Sequence, residues 1–133
     1  MPQILKGLPY KVHTNNELGM MLNDTKPLAM FADCEGCYTD VLLRYFRLFD
    51  RHVYAGRFIR RDCLSERATL AVPLLRVFFA LPPEVWRIDA MIELHASSCW
   101  SYEHKRREGE LLGYEDWMND HWINRLREAE NRD

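Results

Sequence analysis

The stretch Pro27-Leu28-Ala29-Met30-Phe31-Ala32-Asp33-Cys34-Glu35-Gly36-Cys37 decides how the chain is read. Pro27 closes a turn cluster, Asn23-Asp24-Thr25-Lys26, and opens a short apolar run over 28–32, which predicts a strand. From Gly36 the period changes. Tyr38, Leu42, Tyr45, Phe46 and Phe49 recur at three- and four-residue spacing while Arg44, Arg47 and Arg51 face elsewhere. That pattern predicts an amphipathic helix ending near Arg51-His52. A Cys-x-x-Cys pair therefore falls at a strand-to-helix junction, where helix-terminal N–H groups and their partial positive charge stabilise a thiolate. Two cysteines at this spacing close a small disulfide or supply half of a zinc site.

Residues 1–16 mix Pro, Gly and polar groups and read as an arm or short strand. Glu17 to Leu22 holds one or two helical turns, with Asn15 or Asn16 as N-cap. Beyond the first long helix, Val53 to Ile59 reads as a second strand. Arg60 to Ala71, with Asp62 and Ser65 as possible caps, reads as a short helix. Pro73 precedes the strongly apolar strand Leu74 to Ala80. From Trp86 to His95, Trp86, Ile88, Ala90, Ile92 and Leu94 alternate with Arg87, Asp89, Glu93 and His95, Met91 being the exception. This alternation predicts a strand, paired with 74–80 as an antiparallel hairpin. Pro82-Pro83-Glu84 opening a helix is the alternative. The last third is helical, over Ser97 to Leu112 and, after the break at Gly113, Tyr114 to Asn131. The second of these carries a stripe of Tyr114, Trp117, Met118, Trp122, Leu126 and Ala129.

At 133 residues the chain is expected to be a single domain, and 47% apolar with 29% charged residues is the composition of a globular one. Eighteen basic against twenty acidic side chains leave a net charge of −2, which excludes global steering toward nucleic acid or an anionic membrane. The basic runs 57–61 and 105–107 are flanked by acids and read as solvated faces. Residues 1–17 lack the pattern of a secretory leader, and no segment has the length of a membrane span. The expectation is a cytoplasmic protein whose Cys34, Cys37, Cys63 and Cys99 are mostly reduced, so that any disulfide is transient.

The order strand, Cys-x-x-Cys, helix, strand, short helix, Pro-led strand, strand, helix resembles the thioredoxin-like superfamily over roughly residues 24–95. The residues that carry the resemblance are the strand 27–33 leading into Cys34-Glu35-Gly36-Cys37, and Val72-Pro73 opening a later strand. The resemblance implies an α/β, three-layer domain: a mixed sheet of about four strands flanked by helices, with a C-terminal helical extension. It also implies a cis-proline at Pro73 beside the cysteines, Cys34 as exposed nucleophile and Cys37 as resolving thiol. The activity implied is thiol–disulfide exchange with a protein thiol or disulfide, with Cys34, Cys37 and Pro73 as the site and no cofactor or metal.

The neighbouring residues shape that chemistry. Asp33 and Glu35 place negative charge beside the pair and oppose a thiolate, so the oxidoreductase would be weak or specialised. Two other classes stay open. A non-enzymatic interaction module would use the aromatic and arginine-rich helices. A small zinc protein would add His95 and Cys99, at i, i+4 spacing and extended by Glu103, to Cys34 and Cys37. Cys63 reads as an incidental thiol, His121 as packing, His104 as solvent-facing, and Asp116 with Asp120 as acids on one exposed helix face. No P-loop, dinucleotide fingerprint, zinc-protease helix or nucleophile elbow is present.

Overall fold

The computed structural model describes residues 8–66 and 71–131. Along the chain the elements are α1 (Glu17–Leu22), β1 (Leu28–Cys34), α2 (Asp40–Tyr54), β2 (Ile59–Ser65), β3 (Leu74–Ala80), a 3-10 turn (Pro82–Glu84), α3 (Trp86–His95), α4 (Tyr102–Leu112) and α5 (Asp116–Asn131). They fall into two compact units, residues 27–89 and residues 1–26 with 90–133.

In the unit of residues 27–89, the three strands form an antiparallel sheet in the order β1-β3-β2. β1 and β2, joined through α2, run in the same direction, and β3 is inserted between them. This is a split β-α-β arrangement. The expected mixed sheet of about four strands is thus corrected to three antiparallel strands among the described residues. Phe31 on β1 and Phe79 on β3 point to one face, where α2 lays down Phe46 and Phe49. Phe49 stacks on Phe79 with centroids 4.3 Å apart, and Phe31 meets Phe46 edge-on at 5.0 Å. Full burial of each such ring is worth roughly 1.5–3 kcal/mol, and Phe46, Phe49 and Phe79 are all buried. The helical period read from the sequence is therefore the core-facing stripe of α2.

Two strand boundaries move. Val53 and Tyr54 belong to the last turn of α2, not to a strand, and the second strand begins only at Ile59. The helix expected over 60–71 is instead β2, while residues 67–70 lie outside the described residues. Its charge-rich opening is tolerated in a strand because each arginine finds an acid. On the α2 side, Arg60 pairs with Asp50 at 2.8 Å and with Asp62 at 2.9 Å. Its guanidinium lies over the Phe46 and Phe79 rings. Arg61, one residue on and so on the opposite face, pairs with Asp89 in α3 at 2.5 Å.

Trp86–His95 is helical, which overturns the expected hairpin strand. Pro82 and Pro83 stand in the 3-10 turn that leads into the helix, the alternative their position allowed. Ile88 and Met91 are its fully buried residues, at the i, i+3 spacing of a helix face. Met91, the exception to the alternation, is buried on that helix face.

In the unit of residues 1–26 and 90–133, α4 and α5 pack together. α4 starts at Tyr102 under a capping box between Ser101 and His104, so His104 is a half-buried cap and not a solvent-facing side chain. At Gly109 the two helices approach so closely that an added Cβ would collide with the Asn119 side chain. Residues 8–16 form no strand, and residues 1–7 of the expected arm lie outside the described residues. Lys26 and His13 are buried together: Nζ of Lys26 is 2.7 Å from Nδ1 of His13 and donates to the Leu112 carbonyl at 2.8 Å. The His13 ring stacks on Tyr114 at 3.7 Å, and its backbone N–H donates to the Tyr114 hydroxyl at 2.8 Å.

Candidate functional site

Cys34 is the last residue of β1 and stands opposite Leu74 in the ladder with β3. The next amide, Glu35 N–H, donates to the carbonyl of Pro73 at 2.8 Å, and the chain then reverses. Cys37 N–H donates to the carbonyl of Cys34 at 3.0 Å. Gly36 holds the third turn position with φ +80°, a conformation that glycine adopts without strain. The four residues form one β-turn with a cysteine at each end. The Cα atoms are 5.2 Å apart, inside the range a disulfide spans, and the two Sγ atoms lie at disulfide-bonding distance.

The pair is not at the helix N-terminus. α2 starts at Asp40, where the side chain of Thr39 accepts from Leu42 N–H at 3.2 Å and Asp40 adds a carboxylate to the first turn. Helix-end stabilisation fades within a turn, so the cysteines stand where it is weak and already drawn on by the cap and the acid. Cys37 is exposed and Cys34 half-buried. Pro73 does adjoin the pair, through its carbonyl, but the described residues contain no cis peptide bond.

The surroundings are acidic. Oδ1 of Asp33 accepts from Cys34 N–H at 2.8 Å. The Tyr38 hydroxyl donates to the Leu75 carbonyl at 2.7 Å. Burial above all, and then the charges of Asp33 and Asp62, push this phenol up to about 12. Ligand-type atoms of Asp33, Cys34 and Cys37 all lie within 4.8 Å of one another. Asp33 was legible in the sequence only as a nearby charge; its place beside both cysteines depends on the turn that brings Cys37 back.

The other residues singled out by sequence are used elsewhere. α3 ends at His95, so the i, i+4 alignment of His95 with Cys99 does not form, and His95 Nε2 is 2.6 Å from Glu108. Cys99 is exposed, and Cys63 is half-buried in β2 opposite Arg76. His121 meets the Tyr10 ring edge-on at 6.1 Å, and Asp120 pairs with Arg106. A cavity of about 150 Å³ lies among Tyr10, Thr14, Lys105, Glu108, Tyr114 and Trp122. It is smaller than the roughly 300 Å³ at which small-molecule sites begin.

These features define an α/β protein with a Cys-x-x-Cys turn at the end of a strand. No match was found among protein-family models, curated proteins or solved structures. Among the described residues no helix is long and apolar enough to cross a membrane.

Proposed function

We propose that the protein exchanges thiols and disulfides through Cys34 and Cys37, as a specialised oxidoreductase similar to the thioredoxin-like superfamily. The observation that carries this reading is the single β-turn that sets both sulfurs at disulfide distance, with Cys37 the exposed residue of the two. The thiolate of Cys37 attacks a partner disulfide and expels one partner thiolate, leaving a mixed disulfide. The thiolate of Cys34 then attacks the Cys37 sulfur, forming the intramolecular bond and releasing the second partner thiol. Two electrons pass to the partner, and a second dithiol returns them. Pro73 is a positioning residue whose carbonyl holds Glu35 and so the turn. Asp33 and Glu35 oppose thiolate formation, which makes the reaction slow at neutral pH. The cycle fits a reducing compartment such as the cytoplasm, with a protein disulfide as partner.

Trapping tests it. Cys34→Ser keeps the attacking thiol of the exposed residue and removes the resolving one, so after reduction and removal of the reductant it should accumulate a mixed disulfide with disulfide-bonded insulin, expelling one insulin thiolate, while Cys37→Ser should not. Failure of the native protein to catalyse dithiol-dependent insulin reduction sinks the reading. A binding module without redox turnover is the second reading, favoured by the exposure of Val41 (69%) and Tyr54 (94%) on α2. It predicts that replacing both cysteines with serine leaves folding and partner capture intact.

A further inference from the structure

We propose that the reduced pair and Asp33 together form a Cys2Asp site for a divalent cation of the zinc class. The donor atoms of Asp33, Cys34 and Cys37 already lie within 4.8 Å of one another. A tetrahedral zinc with bonds of about 2.0–2.3 Å holds its donors roughly 3.3–3.8 Å apart, so side-chain rotation alone brings them together. Two thiolates and one carboxylate are a borderline-soft donor set, which favours zinc or cobalt over magnesium or calcium. The carboxylate is oriented for the task, because its Oδ1 is held by Cys34 N–H at 2.8 Å and leaves the other oxygen for the metal.

Charge points the same way. The acids that make this pair a poor free dithiolate are the groups that favour a bound dication. Asp33 directly precedes Cys34, and Glu35 lies between the cysteines. A cation at the sulfurs converts that repulsion into attraction and holds both thiolates deprotonated. Cys37 is exposed, so the site has an entry path, and three protein donors leave one tetrahedral position for water.

Binding is coupled to the redox state. Reduction of the Cys34–Cys37 bond by a phosphine adds two electrons and two protons, and the metal displaces those protons from the two thiols. Hydrogen peroxide takes the electron pair back with two protons, leaves as water, re-forms the S–S bond and expels the cation. The site shares its sulfurs with the exchange reaction but does not depend on turnover.

The test is titration of the phosphine-reduced, full-length protein with Co2+, followed by Zn2+. The expected result is one Co2+ per chain with thiolate-to-metal absorption and the visible bands of tetrahedral cobalt. Zn2+ should abolish these bands, and stoichiometric peroxide should bleach them. Asp33→Asn, which keeps an acceptor for Cys34 N–H, should weaken binding by at least about tenfold, since even outer-shell changes cost that much. Cys63→Ser with Cys99→Ser should bind as the native protein does. Should Asp33→Asn not fold, Asp33→Ser serves the same comparison. Absence of cobalt bands in the reduced native protein, unchanged affinity without Asp33, or one metal per two chains would each overturn the site. Insulin reduction measured on the same preparations separates the two ideas. Turnover without metal binding removes this one alone, and metal binding without turnover removes the exchange reaction alone.

Discussion

Glu35 donates its backbone N–H to the carbonyl of Pro73 at 2.8 Å, one step beyond the last ladder pair, Cys34 with Leu74. The sheet thus holds the first half of the Cys-x-x-Cys turn rigidly, and the turn hydrogen bond from Cys37 to Cys34 holds the rest. The proximity of the sulfurs is a property of sheet and turn, with no contribution from a helix.

Gly36 is the weak point of that construction. An added Cβ would meet no atom within 4 Å, so the cost of Gly36→Ala is the left-handed φ of +80° alone. A loss of about 1 kcal/mol in stability is expected, read from the urea midpoint. The variant should also hold less of its Cys34–Cys37 disulfide in a given glutathione buffer, because a looser turn lowers the effective concentration of one thiol for the other.

Exposure orders the thiols. After reduction, brief alkylation with iodoacetamide should label Cys37 and Cys99 before the half-buried Cys34 and Cys63. Peptide mass spectrometry at short times reads the order directly. Labelling of Cys34 ahead of Cys37 would return the nucleophile's role to Cys34.

Arg60 ties β2 to α2 through Asp50, pairs with Asp62 in its own strand, and covers two core rings. Arg60→Ala should destabilise by roughly 1–3 kcal/mol, mostly through lost packing and an unpaired Asp50. Arg60→Lys should recover little of this, since an ammonium cannot fork to both acids from one plane. Chemical denaturation of the two variants decides it.

The buried Lys26 makes stability depend on pH. Burial pulls its pKa down to about 7 from the usual 10.5, although Glu17 acts to raise it. Burial first, and then Lys26, pulls His13 down to about 4. For both groups the unfolded chain binds protons more tightly than the folded one. Stability therefore rises with pH from about 4 to 6.5 through His13, and from about 7 upward through Lys26, by on the order of a few kcal/mol. Burial raises the Tyr10 and Tyr114 phenols above their ordinary value, which moves their titration away from this window. Denaturation profiles between about pH 7 and 9 should rise for the native protein and flatten for Lys26→Met. An equally steep rise in that variant would refute the assignment.

Gly109 permits the contact of α4 with Asn119 on α5. Asn119 is buried and donates from Nδ2 to the Tyr114 carbonyl at 3.3 Å, so it has little room to yield. Gly109→Ala should therefore cost about 1–3 kcal/mol despite alanine's better helix propensity. A thermal melt that shows stabilisation would mean that Asn119 moves aside.

Helices α1, α2, α4 and α5 and strands β1 and β3 were readable from the sequence because their period or their flanking turn residues are local. Three elements differ from the sequence reading, each for its own reason. Trp86–His95 is too short for period to separate helix from strand, and β2 carries charges that only Asp50 and Asp89 make acceptable in a strand. The start of α2 was signalled by Thr39-Asp40, a local cap that the longer apolar pattern obscured.

At the site, the Cys-x-x-Cys spacing, the glycine that permits the turn and the acids around it are legible along the chain, since all are matters of covalent neighbourhood. Tertiary contacts set the rest: the pair ends a strand and does not begin a helix, Cys37 is the exposed residue, and Pro73 meets Glu35 through its carbonyl. Those outcomes depend on pairing with β3, about 40 residues further on in the chain. Interstrand hydrogen bonds, unlike helical ones, join residues whose separation no local pattern records.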